Sequence, residues 1–275
     1  MAARGISEIV DENMATAGRM HDVESGKDLS SRLMIAFGGN GPLHATRVAR
    51  RSQVDRILIP RDPGVGSAVG FLFAPVSFEI VRSRYATLET LDLEGLNAFF
   101  DEMTEEARSV VRAGAPEGEL VHRRQAFMRY HGQGHEIEIP LPDRPLEKTD
   151  IPAMRSAFEK EYSRQFSRVV PGMTIEMLNW GLEVSSKARP MKHYPQIVAE
   201  QPANPSGHRS ILCDVTGEWR EAETHDRAAL GPGDYLSGPA LIIEPQTTTF
   251  VAADFSANVD GGGNIWLTRN REDMQ

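Results

Sequence analysis

The chain has 275 residues, of which 40% are hydrophobic and 25% charged, a composition typical of globular proteins with substantial cores. Its formal net charge of −9 argues against nucleic acid and anionic membranes as main partners. The single cysteine, Cys213, lies in an apolar run typical of a buried residue and excludes an internal disulfide. The polar N-terminus is unlike a signal peptide, and the apolar runs are too short for a membrane helix. We therefore expect a cytoplasmic protein.

The first two thirds of the sequence predict helices alternating with strands, which indicates α/β architecture. Helices are predicted over residues 5–24, 42–51, 64–73, 92–113 and 150–166. Strands are predicted over residues 33–37, 56–60 and 77–85, with a strand pair around HGQGH in residues 120–141. The apolar run LMIAF, residues 33–37, is expected to be a buried strand, and the glycine-rich segment 64–73 a closely packed helix.

The character of the sequence changes after residue 187. Residues 188–208 are rich in proline and polar residues and predict a linker. Residues 209–270 contain short β-type runs divided by turn residues, which predict a small all-β module. The string VDGGGN, residues 259–264, lies between two of these runs and predicts a hairpin turn. We therefore divide the chain into an α/β domain over 1–187 and a linker with a β-rich module over 188–275.

A glycine-rich loop, FGGNGPLHA, joins the predicted strand 33–37 to the helix that begins at Pro42. Without a Cβ, Gly38, Gly39 and Gly41 leave the backbone open to close approach by a ligand. Free N–H groups at the start of the helix can face an anion. The spacing fits neither GxGxxG nor GxxxxGK[ST], so neither dinucleotide nor P-loop binding is indicated. A tight turn that uses glycine only for packing explains the residues equally well.

The HGQGH segment is the second candidate site. His131 and His135 flank two glycines, but two histidines without a third ligand do not predict a metal site. A hairpin with polar turn residues is the simpler interpretation. No Ser-His-Asp or Cys-His arrangement indicates a nucleophile, so the sequence by itself identifies no catalytic residue.

The glycine loop resembles the FGGAGPLHA-type motif of the hydantoinase/oxoprolinase A family, which includes the ATP-using subunits of acetone and acetophenone carboxylases. Other segments are similar to that family in the same order: GISEIVDENMATAGRMHDVESGKD, RILIPRDPGVGSAVGFLFAPVSFEIVRS, MRYHGQGHEIEIPLP and GPALIIEPQTTTFVAADFSANVDGGGNIWL. The likeness therefore covers nearly the whole chain.

The resemblance implies part of an actin-like ATPase fold, of the sugar kinase and heat-shock chaperone type, with residues 1–187 as its adenosine-side half. It places five residues against adenosine: Gly38, Gly39, Asn40, Gly41 and Pro42. The D-x-G-G-T-type loops that hold the phosphates and Mg²⁺ lie upstream in full-length members. The resemblance thus implies ATP with Mg²⁺ held mainly by a partner chain, and an isolated chain without activity.

The resemblance also places three residues near a substrate or a subunit contact: Gln133, His135 and Glu136. It implies a subunit of a heteromeric ATP-dependent ketone carboxylase, a ligase that forms C–C bonds on a small ketone. Asn40, where hydantoinases usually have alanine, favours the carboxylases. Part of an ATP-dependent hydantoinase or lactam hydrolase acting on a cyclic amide fits the motifs equally well. A non-catalytic structural or regulatory subunit is the third interpretation.

Overall fold

The computed structural model describes residues 2–188, 194–195, 199–214 and 216–270. Its helices, in chain order, are α1 (Ala2–Ser25), α2 (Gly41–Arg51), α3 (Gly66–Phe73), α4 (Leu93–Gly114) and α5 (Asp150–Phe166). Its strands are β1 (Leu33–Ile35), β2 (Arg56–Ile59), β3 (Ser77–Thr87), β4 (Leu120–Tyr130), β5 (Ile137–Leu141), β6 (Ile175–Ser186), β7 (Gln201–Pro202), β8 (Gly207–Leu212), β9 (Trp219–Asp226), β10 (Asp234–Ser237), β11 (Ala240–Ile243), β12 (Thr248–Val251), β13 (Phe255–Val259) and β14 (Ile265–Arg269).

The chain forms two compact units. Unit 1 consists of residues 1–72 and 191–275, and unit 2 of residues 73–190. Unit 2 is therefore one continuous segment, whereas unit 1 is assembled from both ends of the chain. The predicted division at residues 187 and 188 differs from these units, because residues 1–72 belong to the same unit as residues 191–275.

Unit 1 contains a six-stranded sheet in the order β1-β2-β14-β13-β10-β7 and a four-stranded sheet in the order β12-β11-β9-β8. The parallel strands β1 and β2 are linked through α2, and β14 pairs antiparallel with β2, with Ile265 opposite Ile59. Small residues on α2, Ala45 and Ala49, let the helix approach the buried side chains of the sheet. Pairing of β2 with β14 therefore makes residues 265–269 part of the same sheet as β1.

The C-terminal strands do not form a separate module, contrary to the prediction for residues 188–275. Strands β7, β10, β13 and β14 complete the sheet begun by β1 and β2, because backbone groups at the edge of β2 find their partners in β14. The hairpin predicted for VDGGGN is confirmed between β13 and β14. Of the linker predicted over 188–208, residues 189–193 and 196–198 lie outside the described residues, and the rest includes β7 and the start of β8.

Two packing predictions were wrong. The run LMIAF contains a strand, but β1 lies at the edge of its sheet, and Ile35 and Phe37 are 57% and 55% exposed. The segment 64–73 forms a short 3-10 turn followed by α3, in which no residue is buried and Phe71 is 84% exposed. Hydrophobic content alone predicted the strand and the helix correctly, but it did not reveal that no other described residues cover their apolar faces.

Unit 2 is an antiparallel sheet packed against two helices. Its strand order is β3-β6-β4-β5, and α4 and α5 cover the face that carries the core. Trp180 of β6 lies fully buried at the centre, where its ring meets Phe100 edge-on at 6.0 Å. Its indole N–H donates to the Arg84 carbonyl at 2.8 Å, so the one polar atom of the ring is satisfied. None of the described helices is both long and apolar enough to cross a bilayer.

Candidate functional site

Residues 38–42, which we call the glycine loop, lead from the end of β1 into α2 and are fixed to unit 1 through the backbone. The Gly38 N–H donates to the Pro63 carbonyl at 2.7 Å. The Thr247 hydroxyl donates to the Gly39 carbonyl, also at 2.7 Å. Gly39 and Asn40 are exposed. The loop is therefore anchored from within the unit, while part of its main chain remains open to solvent.

Glycine occupies the positions in and near this loop for different structural reasons. Gly38 has a φ of 95°, in the left-handed region that favours glycine. A Cβ added to Gly39 would lie 3.8 Å from its nearest neighbour, the Gln246 carbonyl oxygen, and one added to Gly41 would have equal room. A Cβ on Gly64, in contrast, would lie 2.6 Å from the Gln246 side chain. Packing within the described chain thus requires Gly64, but it does not require Gly39 or Gly41.

Asn40 and Pro42 start the helix that follows the loop. Asn40 occupies the N-cap position of α2, but its side chain makes no capping hydrogen bond. Its carbonyl accepts the Leu43 N–H at 3.1 Å. Pro42 lies buried in the first turn, where the missing N–H would have no helical partner. The exposed Asn40 amide is therefore not used to stabilise the helix and is open to an external partner.

A buried carboxylate fixes α2 behind the glycine loop. The Asp11 side chain of α1 is completely buried, and its Oδ1 lies 2.7 Å from His44 Nδ1. Its Oδ2 lies 3.6 Å from Arg47 Nη1, and Arg47 also donates to the Ser7 hydroxyl at 2.7 Å. These contacts all join the first half of α1 to α2. The histidine of the FGGNGPLHA motif thus faces α1, where it helps to position the helix that begins at the loop.

The turn that holds Gly39 carries a partly buried pair of opposite charges. The Glu244 N–H donates to the Thr247 carbonyl at 3.0 Å, which closes the turn. Glu244 Oε1 lies 3.9 Å from Arg227 Nε. Burial raises the pKa of the Glu244 carboxyl, although Arg227 acts in the opposite direction. Burial likewise lowers the pKa of the Arg227 guanidinium, against the attraction of Glu244. The pair ties the turn, and hence the loop, to the segment that follows β9.

The three residues expected near a substrate or subunit contact lie around the β4–β5 turn of unit 2. The Gln133 amide donates to the Tyr162 hydroxyl at 2.8 Å. The His135 ring meets an aromatic ring of α5 edge-on, with the centroids 6.2 Å apart. The Glu136 carboxylate accepts from the Asn179 amide at 3.0 Å. The structure brings the three residues to one end of the unit 2 sheet, and their contact role stays a prediction.

His131 has a different partner from His135. Its Nδ1 lies 2.8 Å from Glu176 Oε2, and Arg129 Nε donates to the other carboxylate oxygen at 2.6 Å. Glu176 is 2% exposed. The hydrogen bond with His131, followed by the hydrogen bond and charge of Arg129, lowers the pKa of this carboxyl despite its burial. Glu176 was not predicted from the sequence, although a lone acidic residue in the apolar strand IEMLNW is a signal for a paired, buried carboxylate.

Asp11 and Thr247 were also missed. On α1 the Asp11 side chain is buried, whereas most of the large apolar side chains of the same helix are exposed. An amphipathic helix of a globular protein normally buries its apolar residues and exposes its charged ones. Thr247 belongs to a run of three threonines, and only the fold shows which hydroxyl meets the loop. Among the described residues, no group of three or more histidine, cysteine, aspartate or glutamate side chains is arranged to hold a metal ion.

The sequence of this chain matches two models of one protein family. Residues 1–80 match the hydantoinase/oxoprolinase model, and residues 88–265 match the hydantoinase/oxoprolinase C-terminal domain. The caprolactamase subunit alpha of Pseudomonas jessenii is 26% identical, over 97% of this chain and 39% of the relative. The acetophenone carboxylase gamma subunit of Aromatoleum aromaticum is also 26% identical, over 91% of this chain and 36% of the relative.

The fold agrees with these matches. The nucleotide-free structure of acetone carboxylase superposes with a TM-score of 0.76 at 22% identity, over 98% of this chain and 40% of that one. The chain thus spans about two fifths of the length of the caprolactamase subunit and of the acetone carboxylase chain. Because the C-terminal domain model alone covers more than half of the sequence, the chain belongs to the hydantoinase/oxoprolinase family.

Proposed function

We propose that this chain is part of a multi-subunit ATP-dependent ketone carboxylase of the acetone or acetophenone carboxylase type. In this proposal the fold belongs to the actin-like ATPases, and the glycine loop lies beside the adenosine of ATP. A second polypeptide holds the phosphates and Mg²⁺. The chain itself contributes the nucleoside side of the site and is inactive when isolated.

The proposal rests mainly on the free space next to the Gly39 Cα. Gly39 is exposed, its φ lies outside the left-handed region, and a Cβ there would make only an ordinary contact. The packing of the described residues therefore gives no reason for a glycine here, and close approach by an external molecule supplies one. The neighbouring Asn40 amide offers both a donor and an acceptor to such a molecule.

The residues present fit a nucleoside. An exposed run of main chain lets a flat base or ribose lie close, and the Asn40 amide can match polar atoms on either. By resemblance, the D-x-G-G-T-type loops that hold the phosphates and Mg²⁺ precede this region in full-length family members. When bound, ATP would supply the activating phosphoryl group, while the residues of this chain bind and orient the nucleoside.

A lactam hydrolase is the second candidate. The caprolactamase relative matches this chain at the same identity as the acetophenone carboxylase relative and over slightly more of its length. In such an enzyme, ATP would phosphorylate an amide oxygen and make the ring hydrolysable. A non-catalytic subunit that completes a partner's cleft is the third candidate.

ATP binding and hydrolysis should be measured for this chain alone and after mixing with the products of its neighbouring genes. Hydrolysis that needs both a ketone and bicarbonate supports the carboxylase, and hydrolysis stimulated by caprolactam without bicarbonate supports the hydrolase. The Gly39→Ala variant tests the loop: we expect it to fold normally and to weaken ATP binding about tenfold, equivalent to about 1.4 kcal/mol.

The matched control is Gly70→Ala, which adds a methyl group to an exposed glycine with no atom within 4 Å of the new Cβ. It should leave ATP binding unchanged. Equal ATP affinity in the Gly39→Ala variant would exclude the glycine loop from the nucleotide site. Turnover by the assembled complex that does not respond to Gly39→Ala would favour a non-catalytic subunit.

A further inference from the structure

A cleft of about 340 Å³ opens in unit 2 between α4, β4 and the segment that follows β5. Strand β4 contributes His122 and Arg124, which lie two residues apart and therefore on the same face of the strand. Helix α4 contributes Arg108 among other residues, and residues 143–145 form the rest of the lining. We call this the Arg124 cleft. It belongs to unit 2, whereas the glycine loop belongs to unit 1.

Arg124 is a buried cation with an unpaired donor. Its side chain is only 7% exposed, and its guanidinium carbon lies 5.1 Å from the centroid of the Phe100 ring. Its Nη1 donates to the Arg144 carbonyl at 3.1 Å. Its Nε is shielded from solvent and has no hydrogen-bond partner among the described residues. Since the donors of a buried charge are normally paired, the Nε group is a signal for an acceptor from outside the chain.

The carboxylate nearest to Arg124 does not satisfy it. Asp143 Oδ1 lies 3.9 Å from Arg124 Nε, which is too far for a hydrogen bond. The same oxygen lies 3.5 Å from His122 Nδ1. The Asp143 side chain is 50% exposed, so water already solvates it and it can turn away from Arg124 with little loss of burial. His122 Nε2 is also buried without a partner among the described residues, so the cleft contains a second unpaired nitrogen.

The other charged side chains around the cleft are already paired or exposed. Glu105 Oε1 lies 3.2 Å from Arg108 Nη1, a pair made within α4. Arg144 Nη2 lies 2.8 Å from Asp150 Oδ1. Asp101 also lines the cleft, and its side chain is exposed. Two of the three arginines thus have a carboxylate at hydrogen-bond distance, whereas the buried third arginine has none among the described residues.

We propose that the Arg124 cleft binds a small planar oxyanion, either an organic carboxylate or bicarbonate, through the Nε and Nη2 edge of Arg124. Both ligands carry two oxygens on one carbon atom, which match the parallel N–H groups of this edge. His122 donates to the same ion from Nε2 when that nitrogen carries the proton. Asp143 is the side chain that the ion displaces, because it lies nearest to Nε and is half exposed. The inference goes beyond the proposed function, since it needs neither ATP nor the glycine loop.

The 275-residue chain should be titrated with sodium acetate and, separately, with sodium bicarbonate, while NMR follows the Arg124 Nε–H signal and the backbone amides of residues 122–124. Sodium chloride keeps the ionic strength constant and supplies the baseline. We expect a saturable shift with at least one of the two anions, with half-saturation at or below about 10 mM. Saturation by acetate alone identifies an organic carboxylate as the ligand, and saturation by bicarbonate alone identifies the inorganic ion. Either result supports the proposal.

Two variants test the residues of the cleft. Arg124→Lys keeps the charge but loses the two parallel donors, so it should weaken binding about tenfold. Arg108→Gln leaves the Glu105 charge unbalanced at the cleft and should weaken binding about threefold. The matched control is Arg164→Gln, which breaks an ion pair of the same i,i+3 spacing on α5, outside the lining of the cleft. It should bind both anions as the wild type does.

Three results overturn the proposal: no saturation by either anion up to about 100 mM, tighter binding of phosphate than of both planar anions, or equal affinity in Arg124→Lys and the wild type. If Arg124→Lys does not fold, Arg108→Gln decides, and an affinity equal to that of Arg164→Gln overturns the proposal. None of these measurements involves ATP. A failure here therefore leaves the proposed function standing, and a failure of ATP to bind at the glycine loop leaves the Arg124 cleft standing.

Discussion

The threonine run 247–249 offers a stringent test of how the glycine loop is held. Thr247 is 8% exposed and its hydroxyl donates to the Gly39 carbonyl at 2.7 Å. Thr249, two residues later, is fully buried, and its hydroxyl has no hydrogen-bond partner among the described residues. Valine has nearly the shape of threonine, so Thr247→Val and Thr249→Val remove the same atom with little change in volume. Only Thr247→Val removes a hydrogen bond.

The two variants should therefore change the stability of unit 1 in opposite directions. A net hydrogen bond contributes about 1 kcal/mol, and the Gly39 carbonyl can rehydrate because the residue is exposed, so Thr247→Val should cost about 1 kcal/mol. Thr249→Val removes a buried hydroxyl without a partner and should stabilise the fold by about 1 kcal/mol. The expected difference between the variants is about 2 kcal/mol.

Hydrogen exchange of the slowest amides in β2 and β14 reports the unfolding of unit 1. Exchange in the glycine loop supplies a second, local readout: Thr247→Val should speed it about fivefold, and Thr249→Val should not change it. In Thr247→Ser, which retains the hydroxyl, the amides of the glycine loop should exchange at the same rate as in the wild type. Equal effects of the two valine variants on stability, or unchanged loop exchange in Thr247→Val, would refute the view that Thr247 anchors the loop.

Two further predictions concern ion pairs. Asp150 accepts two hydrogen bonds from Arg144, each 2.8 Å, and they lower the pKa of its carboxyl to about 2. The ionised Asp150 should therefore contribute its full stabilisation above the ordinary pKa of about 3.9. That stabilisation should be lost as the pH falls through about 2. Urea denaturation of unit 2 from pH 2 to 6 should show a larger loss in the wild type than in Asp150→Asn, because other carboxyl groups with a lowered pKa, such as Glu176, contribute to the loss in both. Asp254 bridges Arg50 and Arg269 with its side chain 9% exposed, so Asp254→Ala should destabilise unit 1 by about 3 kcal/mol, whereas removing an exposed ion pair would cost less than about 1 kcal/mol. Thermal denaturation in which Asp254→Ala matches the wild type would contradict that burial argument.

Periodicity predicted most of the elements of this fold. The apolar spacing from Leu96 to Val111 indicated a long helix, and α4 buries that face in unit 2. The turn residues of VDGGGN indicated a hairpin, and the Asp260 carboxylate there accepts the Gly262 and Asn264 N–H groups. Signals of this kind lie within a few residues of each other, which is why they can be read from one sequence.

Long-range pairing could not be predicted in this way. The runs RILIP and NIWLT each indicate a strand, but neither contains a signal that β2 and β14 pair with each other. The exposure of Ile35 also depends on what lies beyond the sheet edge, and the sequence of β1 is that of a covered strand. The glycine loop was identified as a candidate from its composition, whereas its anchors, Thr247 and the Asp11 contact behind it, required the fold.

The discontinuity of unit 1 has a consequence for the order of events during protein synthesis. Unit 2 occupies residues 73–190 without interruption, so all of its strands have left the ribosome while much of unit 1 is still untranslated. Strand β2 meets β14 only when residues 265–268 emerge. Until then β2 lacks the partner that it has in the folded unit, so the six-stranded sheet can be completed only after the whole of unit 2 has been synthesised.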